Sequence, residues 1–190
     1  MFRIISGKWK AKKISAPKNF DVRPTTDFAK EALFSIIENK YDMQASSVLD
    51  LFAGIGSITL EFASRGCQDV TSVEMNPKHT GFINSTAADL DMAVQISVQR
   101  GDVYEWLRKN RKRKQYEIIF VDAPFETEEN KYEEIISLVL KNHYLKQNGV
   151  LIIEHQSRLS LKDPQLTDTR KYGNVSFSFF KPIEEEEENL

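Results

Sequence analysis

The chain has a single cysteine, Cys67, so no internal disulfide can form. Its three histidines, His79, His143 and His155, are scattered without the i, i+4 or Cys-x-x-Cys spacing of metal sites, and no metal centre is expected. Long apolar runs are also missing. The opening MFRIISGKWKAKKI carries charges throughout and has no stretch of the length that a signal peptide or membrane span requires, which points to a soluble, cytoplasmic protein with no membrane attachment. Nothing in the length calls for two domains, because 190 residues with 41% hydrophobic content suffice for one buried core. A monomer is expected.

Charge is unevenly spread. The net charge of −2 includes −5 from the glutamates at 184–188, which leaves +3 on the rest of the chain. Residues 184–190 read as an acidic, disordered, solubilising tail. Residues 1–26 hold seven basic side chains (Arg3, Lys8, Lys10, Lys12, Lys13, Lys18, Arg23), and a second block, RKNRKRK at 108–114, has six in seven positions. Such clusters suit a polyanion, since each cation that meets a phosphate releases condensed counterions. The second block reads equally well as a solvated helix end whose charge complements the helix dipole. Taken together, the two clusters favour a nucleic acid partner.

RIISGKWKAKKI predicts two short strands around Ser6-Gly7, a basic hairpin extension over 1–20. RPTTDFAKEALFSIIENK predicts a helix from its Thr-Thr-Asp start and from Phe28, Ala32, Leu33, Ile36 and Ile37 at helical spacing. Strands and helices then alternate: SVLDLFA, helix SITLEFASRG ending at Gly66, DVTSVEM, a helix from Pro77 to about Leu90, VQISVQ, helix VYEWLRKNRK, YEIIFVDA, helix NKYEEIISLVLKNHY and GVLIIEHQ, with VSFSFFK at 175–181 as the last strand. This alternation implies parallel βαβ units with helices on both faces, a doubly wound α/β domain over 21–183.

In such a fold ligands lie beyond the carboxyl ends of the strands, where strand order reverses. The first core strand ends at Asp50 before a Gly54-x-Gly56 turn, the second at Glu74, the third just before Asp102 and the fourth at Asp122. Each acid has a plain structural reading, a turn cap or, for Asp102, a helix N-cap. Four acids at four successive strand ends on one rim point instead to a ligand. A dinucleotide fits poorly: its fingerprint needs a third glycine where Thr59 stands, and a pyrophosphate would be repelled by Asp50. S-adenosylmethionine has no phosphate. Its cationic amine suits Asp50 and the glycine loop, its ribose diol suits Glu74, and its adenine suits Asp102 and the Val103 amide.

RIISGKWKAKKI, RPTTDFAKEALF, DLFAGIGSITLEFASRG, VEMN and DAPF, in this order over about residues 2–182, resemble the RsmD family of bacterial 16S ribosomal RNA guanine-N2 methyltransferases. The resemblance implies a Rossmann-like class I methyltransferase fold, with a seven-stranded mostly parallel sheet whose last strand is antiparallel. It also implies S-adenosylmethionine as cofactor and ribosomal RNA, within the small subunit, as partner. Asp50, Phe52, Gly54, Gly56, Glu74, Asp102 and Val103 would then be cofactor residues, with Lys8, Lys10, Lys12, Lys13 and Arg23 gripping RNA. The family's Asp-Pro-Pro-Phe signature is altered here, Ala123 replacing the first proline.

The DAPF stretch has a chemical rationale. A guanine 2-amino group is a poor nucleophile because its lone pair is delocalised into the ring. Asp122 and the carbonyl of Ala123 offer two acceptors for its hydrogens, turning the lone pair toward the methyl group. Phe125 offers the base a stacking face, and Pro124 keeps residue 123 extended. Adenine-N6 or protein glutamine methylation would use a similar motif, and a non-catalytic RNA-binding assembly factor is the alternative that Ala123 suggests. The basic hairpin and RPTTDFAKEALF favour the ribosomal RNA reading.

Overall fold

The strands assemble around the most apolar runs of the chain, which are buried from both sides. A computed structural model describes residues 1–20, 25–111 and 113–183. Two short strands, β1 (Phe2–Arg3) and β2 (Lys13–Ile14), form an antiparallel pair. Then follow α1 (Asp27–Glu38), β3 (Ser47–Leu51), α2 (Ser57–Ser64), β4 (Asp69–Glu74), α3 (Pro77–Asp89), β5 (Ile96–Arg100), α4 (Val103–Lys109), β6 (Tyr116–Asp122), α5 (Glu129–Lys141), β7 (Leu145–Gln156), β8 (Leu166–Tyr172) and β9 (Val175–Phe180). The seven-stranded sheet has the order β5-β4-β3-β6-β7-β9-β8. Pairing is parallel from β5 to β7, and β9 runs antiparallel to both its neighbours. Strand order reverses between β3 and β6, so the carboxyl ends of these two strands mark the binding crevice.

The two-residue period of a strand sorts side chains onto two cores. Val48, Ile118, Phe120 and Ile152 face α1, α2 and α3, while Leu49, Leu51, Ile119, Val121, Leu151 and Ile153 face α4 and α5. The same alternation puts Asp50, Asp122 and Glu154 on the α1 side. β8, LTDTRKY, has no apolar run that would announce a strand. It is exposed along most of its length and closes the sheet as a charged edge, which discourages pairing with other chains.

Helix α1 starts as expected, with Thr26 as N-cap and its side chain accepting from the Ala29 N–H. Its buried face differs from the apolar spacing: Ala29, Lys30, Leu33, Phe34 and Ile37 point inward, while Phe28 is 71% exposed with its ring edge against Tyr172. The stripe is rotated because a lysine has a buried partner. Lys30 Nζ lies 3.4 Å from Glu61 Oε2 and donates to the Arg3 carbonyl at 2.6 Å and to Ser57 Oγ at 3.2 Å.

That glutamate also fixes the hairpin. Glu61 accepts from the Ile5 N–H (2.8 Å), the Ser6 N–H (3.0 Å) and Arg65 Nε (2.8 Å). Next to it, Ser64 O accepts from Lys8 N at 2.7 Å, and Ser64 Oγ accepts from Trp9 N at 3.0 Å. Gly7, at φ +83, sits so close that an added Cβ would fall 1.8 Å from Ser64 O. The hairpin therefore turns more widely than a tight Ser6-Gly7 loop, because residues 5–9 are shaped by the carboxyl end of α2. Among the described residues, no helix is long and apolar enough to cross a membrane.

Candidate active site

The rim is built from strand ends. Beyond β3 the chain bends through Phe52 (φ 60), Gly54 (φ 55) and Gly56 (φ 79), all left-handed. For Phe52 this conformation costs roughly 1–3 kcal/mol, strain of the kind that collects at functional sites. Gly56 is packed, since a Cβ there would meet Ile83 Cγ1 at 2.8 Å. Gly54 is open: an added Cβ would have only Phe52 O within reach, at 4.0 Å, so a ligand can approach the backbone closely at this point.

Glu74 closes this loop against the start of α3. Its Oε2 accepts the Gly54 N–H at 2.9 Å, its Oε1 accepts the Asn76 N–H at 2.8 Å, and His79 Nδ1 lies 3.5 Å away. Each carboxylate oxygen retains a second lone pair for hydroxyl donors. Asp102 is the N-cap of α4, Oδ1 accepting from Glu105 N at 3.0 Å, and Val103 opens that helix. Phe52 meets Tyr104 edge-on, with centroids 6.0 Å apart.

Asp50 is only 1% exposed, and Thr59 Oγ1 donates to its Oδ2 at 2.5 Å. Thr59, which takes the place of a third glycine, thus serves this carboxylate. Burial pushes the Asp50 pKa up to about 7; the hydrogen bonds from Thr59 oppose the rise and the Glu74 charge adds to it. A rim of carboxylates with an exposed glycine backbone fits a cationic, hydroxyl-bearing ligand such as S-adenosylmethionine and repels a pyrophosphate.

Asp122 closes β6 and lies in direct register with Glu154 on β7. Burial raises the Asp122 pKa well above the usual carboxylate range, and the charges of Glu154 and Asp50 push the same way. Ala123 is buried, whereas Pro124 and Phe125 are exposed, Phe125 by 47%. The turn is fixed at two points: Thr127 N donates to the Pro124 carbonyl at 2.9 Å, and Gln156 Nε2 donates to the Phe125 carbonyl. Thr25 Oγ1 donates to Glu154 Oε2 at 2.7 Å, which brings Thr25 to the acid pair.

A profile described as Conserved hypothetical protein 95 matches residues 2–181. Ribosomal RNA small subunit methyltransferase D of Buchnera aphidicola subsp. Baizongia pistaciae is 35% identical over 158 residues, 83% of this chain and 78% of that protein. The chain belongs to the RsmD family. A solved Escherichia coli structure aligns with this RsmD-family chain at a TM-score of 0.81 and 26% identity, covering 95% of this chain and 97% of that one. The fold is also shared with an RNA methyltransferase of Salinibacter ruber solved in complex with S-adenosyl-L-homocysteine (TM-score 0.67, 12% identity, covering 88% of this chain and 99% of that one).

The structure gathers Asp50, Phe52, Gly54, Gly56, Glu74, Asp102, Val103 and Asp122–Phe125 along the one rim. Lys8, Lys10, Lys12 and Lys13 are exposed on the hairpin. Lys8 and Lys10 stand near the far end of α2, whose eight residues put them about 12 Å below the rim. Arg23 and the acidic tail at 184–190 lie outside the described residues. The second basic block takes another place: it follows α4 down to the end of the sheet where β4 and β6 begin, away from the acids. There Arg108 pairs with Glu134, Lys109 with Glu105 (2.8 Å) and Lys114 with Asp69 (2.5 Å), so the helix-end reading is the better one. Sequence reasoning stopped at four strand-end acids and missed Glu154, the fifth, which GVLIIEHQ signals by an acid at the end of an apolar run.

Proposed function

We propose that this RsmD-family chain transfers a methyl group from S-adenosylmethionine to the N2 amine of a guanine in small-subunit (16S) ribosomal RNA. The supporting observation is the DAPF turn, in which a partly buried acceptor, Asp122, stands beside an exposed aromatic face, Phe125, on the rim that carries the glycine loop. In this reading 21–183 is the methyltransferase domain and 1–20 is an RNA-gripping extension. Asp50 and the glycine loop hold the cofactor's amino-acid end, Glu74 takes its ribose diol, and Asp102 with Val103 takes its adenine. Bound cofactor supplies an electrophilic methyl group on a sulfonium.

Phe125 stacks on the splayed guanine, a contact worth roughly 1–3 kcal/mol. Asp122 and the Ala123 carbonyl then accept the two amine hydrogens, which draws the lone pair out of conjugation with the ring and directs it toward the methyl group. The Asp122 carboxylate also stabilises the positive charge that grows on nitrogen. The enclosed second core behind Ala123 and the Gln156 anchor keep this turn from relaxing. Alanine at 123 presents the same carbonyl that proline would.

The test is incubation with isotopically labelled cofactor and small subunits, naked 16S RNA or DNA, followed by nuclease digestion and mass spectrometry. N2-methylguanosine that disappears with Asp122→Ala supports the proposal. Label on adenine, on DNA alone or on protein would overturn it.

A further inference from the structure

The motif that the proposed reaction leaves unused is Thr25 with Glu154. Parallel register puts Glu154 directly beside Asp122, with both side chains on the α1 side of the sheet. Glu154 is 7% exposed, and its Oε2 takes the Thr25 hydroxyl at 2.7 Å. Two carboxyl groups this close in a buried site cannot both be charged without large cost, so they share a proton near neutrality. Hydrogen bonding decides which of them keeps it. The Thr25 donor favours charge on Glu154 and so leaves the proton to Asp122.

We propose that Glu154, clamped by Thr25, is a positioning residue that keeps the resting proton of a two-carboxyl pair on Asp122, making Asp122 a strengthened base that accepts the amine only after this proton has left. The proposal rests on the methyltransferase reading given above. Among the described residues, the titratable groups acting on or facing Asp122 are Glu154 on β7, Asp50 on β3 and Tyr132 on α5. Burial raises both members of the pair, Glu154 to about 7, while the Thr25 hydrogen bond holds Glu154 down. Tyr132 stays neutral, pushed up to about 12 by burial and then by the Asp122 charge.

The balance of the step is complete. The amine lone pair becomes the new N–C bond, the C–S bonding pair stays with the departing thioether, and an N–H proton passes to the ionised Asp122 carboxylate. The N–H bonding pair returns to nitrogen as its lone pair. A base strengthened by Glu154 holds this proton firmly while the methylated base leaves.

Carbon-13 NMR of aspartate-labelled protein, without RNA or cofactor, reads the pair directly, with the Asp122 signal assigned by its loss in Asp122→Asn. The expected Asp122 midpoint lies well above the usual aspartate range, falls by at least about one unit in Glu154→Gln, and also falls in Thr25→Val, where Glu154 becomes the proton holder. Thr25→Val leaves both carboxyls in place and keeps the test open if Glu154→Gln folds poorly. A wild-type midpoint near 4, or a midpoint unmoved by both variants, overturns the proposal. The acid limb of single-turnover methyl transfer should follow the same shift, giving Glu154→Gln about fivefold more of its own plateau rate one unit below the wild-type midpoint. The NMR shifts without methylation of any nucleic acid would uphold the pair and overturn the substrate reading instead.

Discussion

Replacing Glu61 with glutamine should nearly unfold the protein, although the new side chain has almost the same shape. The Glu61 side chain is fully enclosed: Oε1 serves Ser6 N and Arg65 Nε, and Oε2 serves Ile5 N and faces Lys30 Nζ at 3.4 Å. An amide has one oxygen and one NH2 group. Whichever way it turns, one hairpin N–H and one cation then face a donor. Breaking a buried ion pair costs about 3–5 kcal/mol, and a stranded backbone N–H adds about 1–3 kcal/mol. The sum, about 4–8 kcal/mol, rivals the whole stability of an ordinary domain, about 5–15 kcal/mol. At about 2–4 °C per kcal/mol for a chain of this size, the melting temperature should fall by at least about 8 °C, as read by circular dichroism. Adding Lys30→Met removes the stranded ammonium, so the double variant should be more stable than the sum of the single changes predicts by at least about 1 kcal/mol. A loss below about 1 kcal/mol for Glu61→Gln, or strict additivity, would refute this account of the hairpin anchor.

Asp50 should make the ligand-free protein less stable as pH rises. With a folded pKa of about 7 against an unfolded value near 4, the folded state keeps a proton that the unfolded chain has shed, so stability falls from about pH 4 to 7 by up to about 1.4 kcal/mol per unit. Urea midpoints across that range should show the fall, and Asp50→Asn should flatten it. Glu74→Ala should weaken S-adenosylmethionine binding by roughly ten- to a hundredfold in calorimetry, the equivalent of about 1.5–3 kcal/mol for a charged acceptor; unchanged affinity would remove Glu74 from the site. Charge reversal at Lys10, Lys12 and Lys13 should flatten the salt dependence of RNA binding by up to about 0.9 per lost duplex contact, while reversal at Arg111 and Arg113 should leave it unchanged. Ala123→Pro should alter the methyl transfer rate by less than about tenfold, since the carbonyl is present in both forms.

The order of elements and the acid rim were legible because burial on both faces makes core strands read as apolar runs, and because strand ends followed by Gly, Asn or Pro are marked by their turns. Asp50, Glu74, Asp102 and Asp122 needed only this local pattern. What stayed hidden depends on long-range partners. Lys30 looks like a solvent-facing residue until Glu61 is brought beside it, and that pairing turns α1 so that Phe28 faces outward. β8 was missed because an exposed edge strand has no apolar alternation to read. The block at 108–114 left two readings open for the opposite reason: its charge is plain in the sequence, but its acidic partners, Glu134 and Asp69, come from distant segments.

The distance along the chain between Thr25 and Glu154, 129 residues, has a consequence for synthesis. A protein made from its amino end can dock the hairpin once Glu61 has emerged, about 55 residues behind Ser6. The glycine loop is available at the same stage. The acid pair must wait until most of the chain has left the ribosome, because β7 is needed to bring Glu154 beside Asp122 and under Thr25. A polypeptide stalled or truncated before β7 therefore lacks the Thr25–Glu154 contact, and in the reading proposed above its acceptor site is the last part of the fold to be completed.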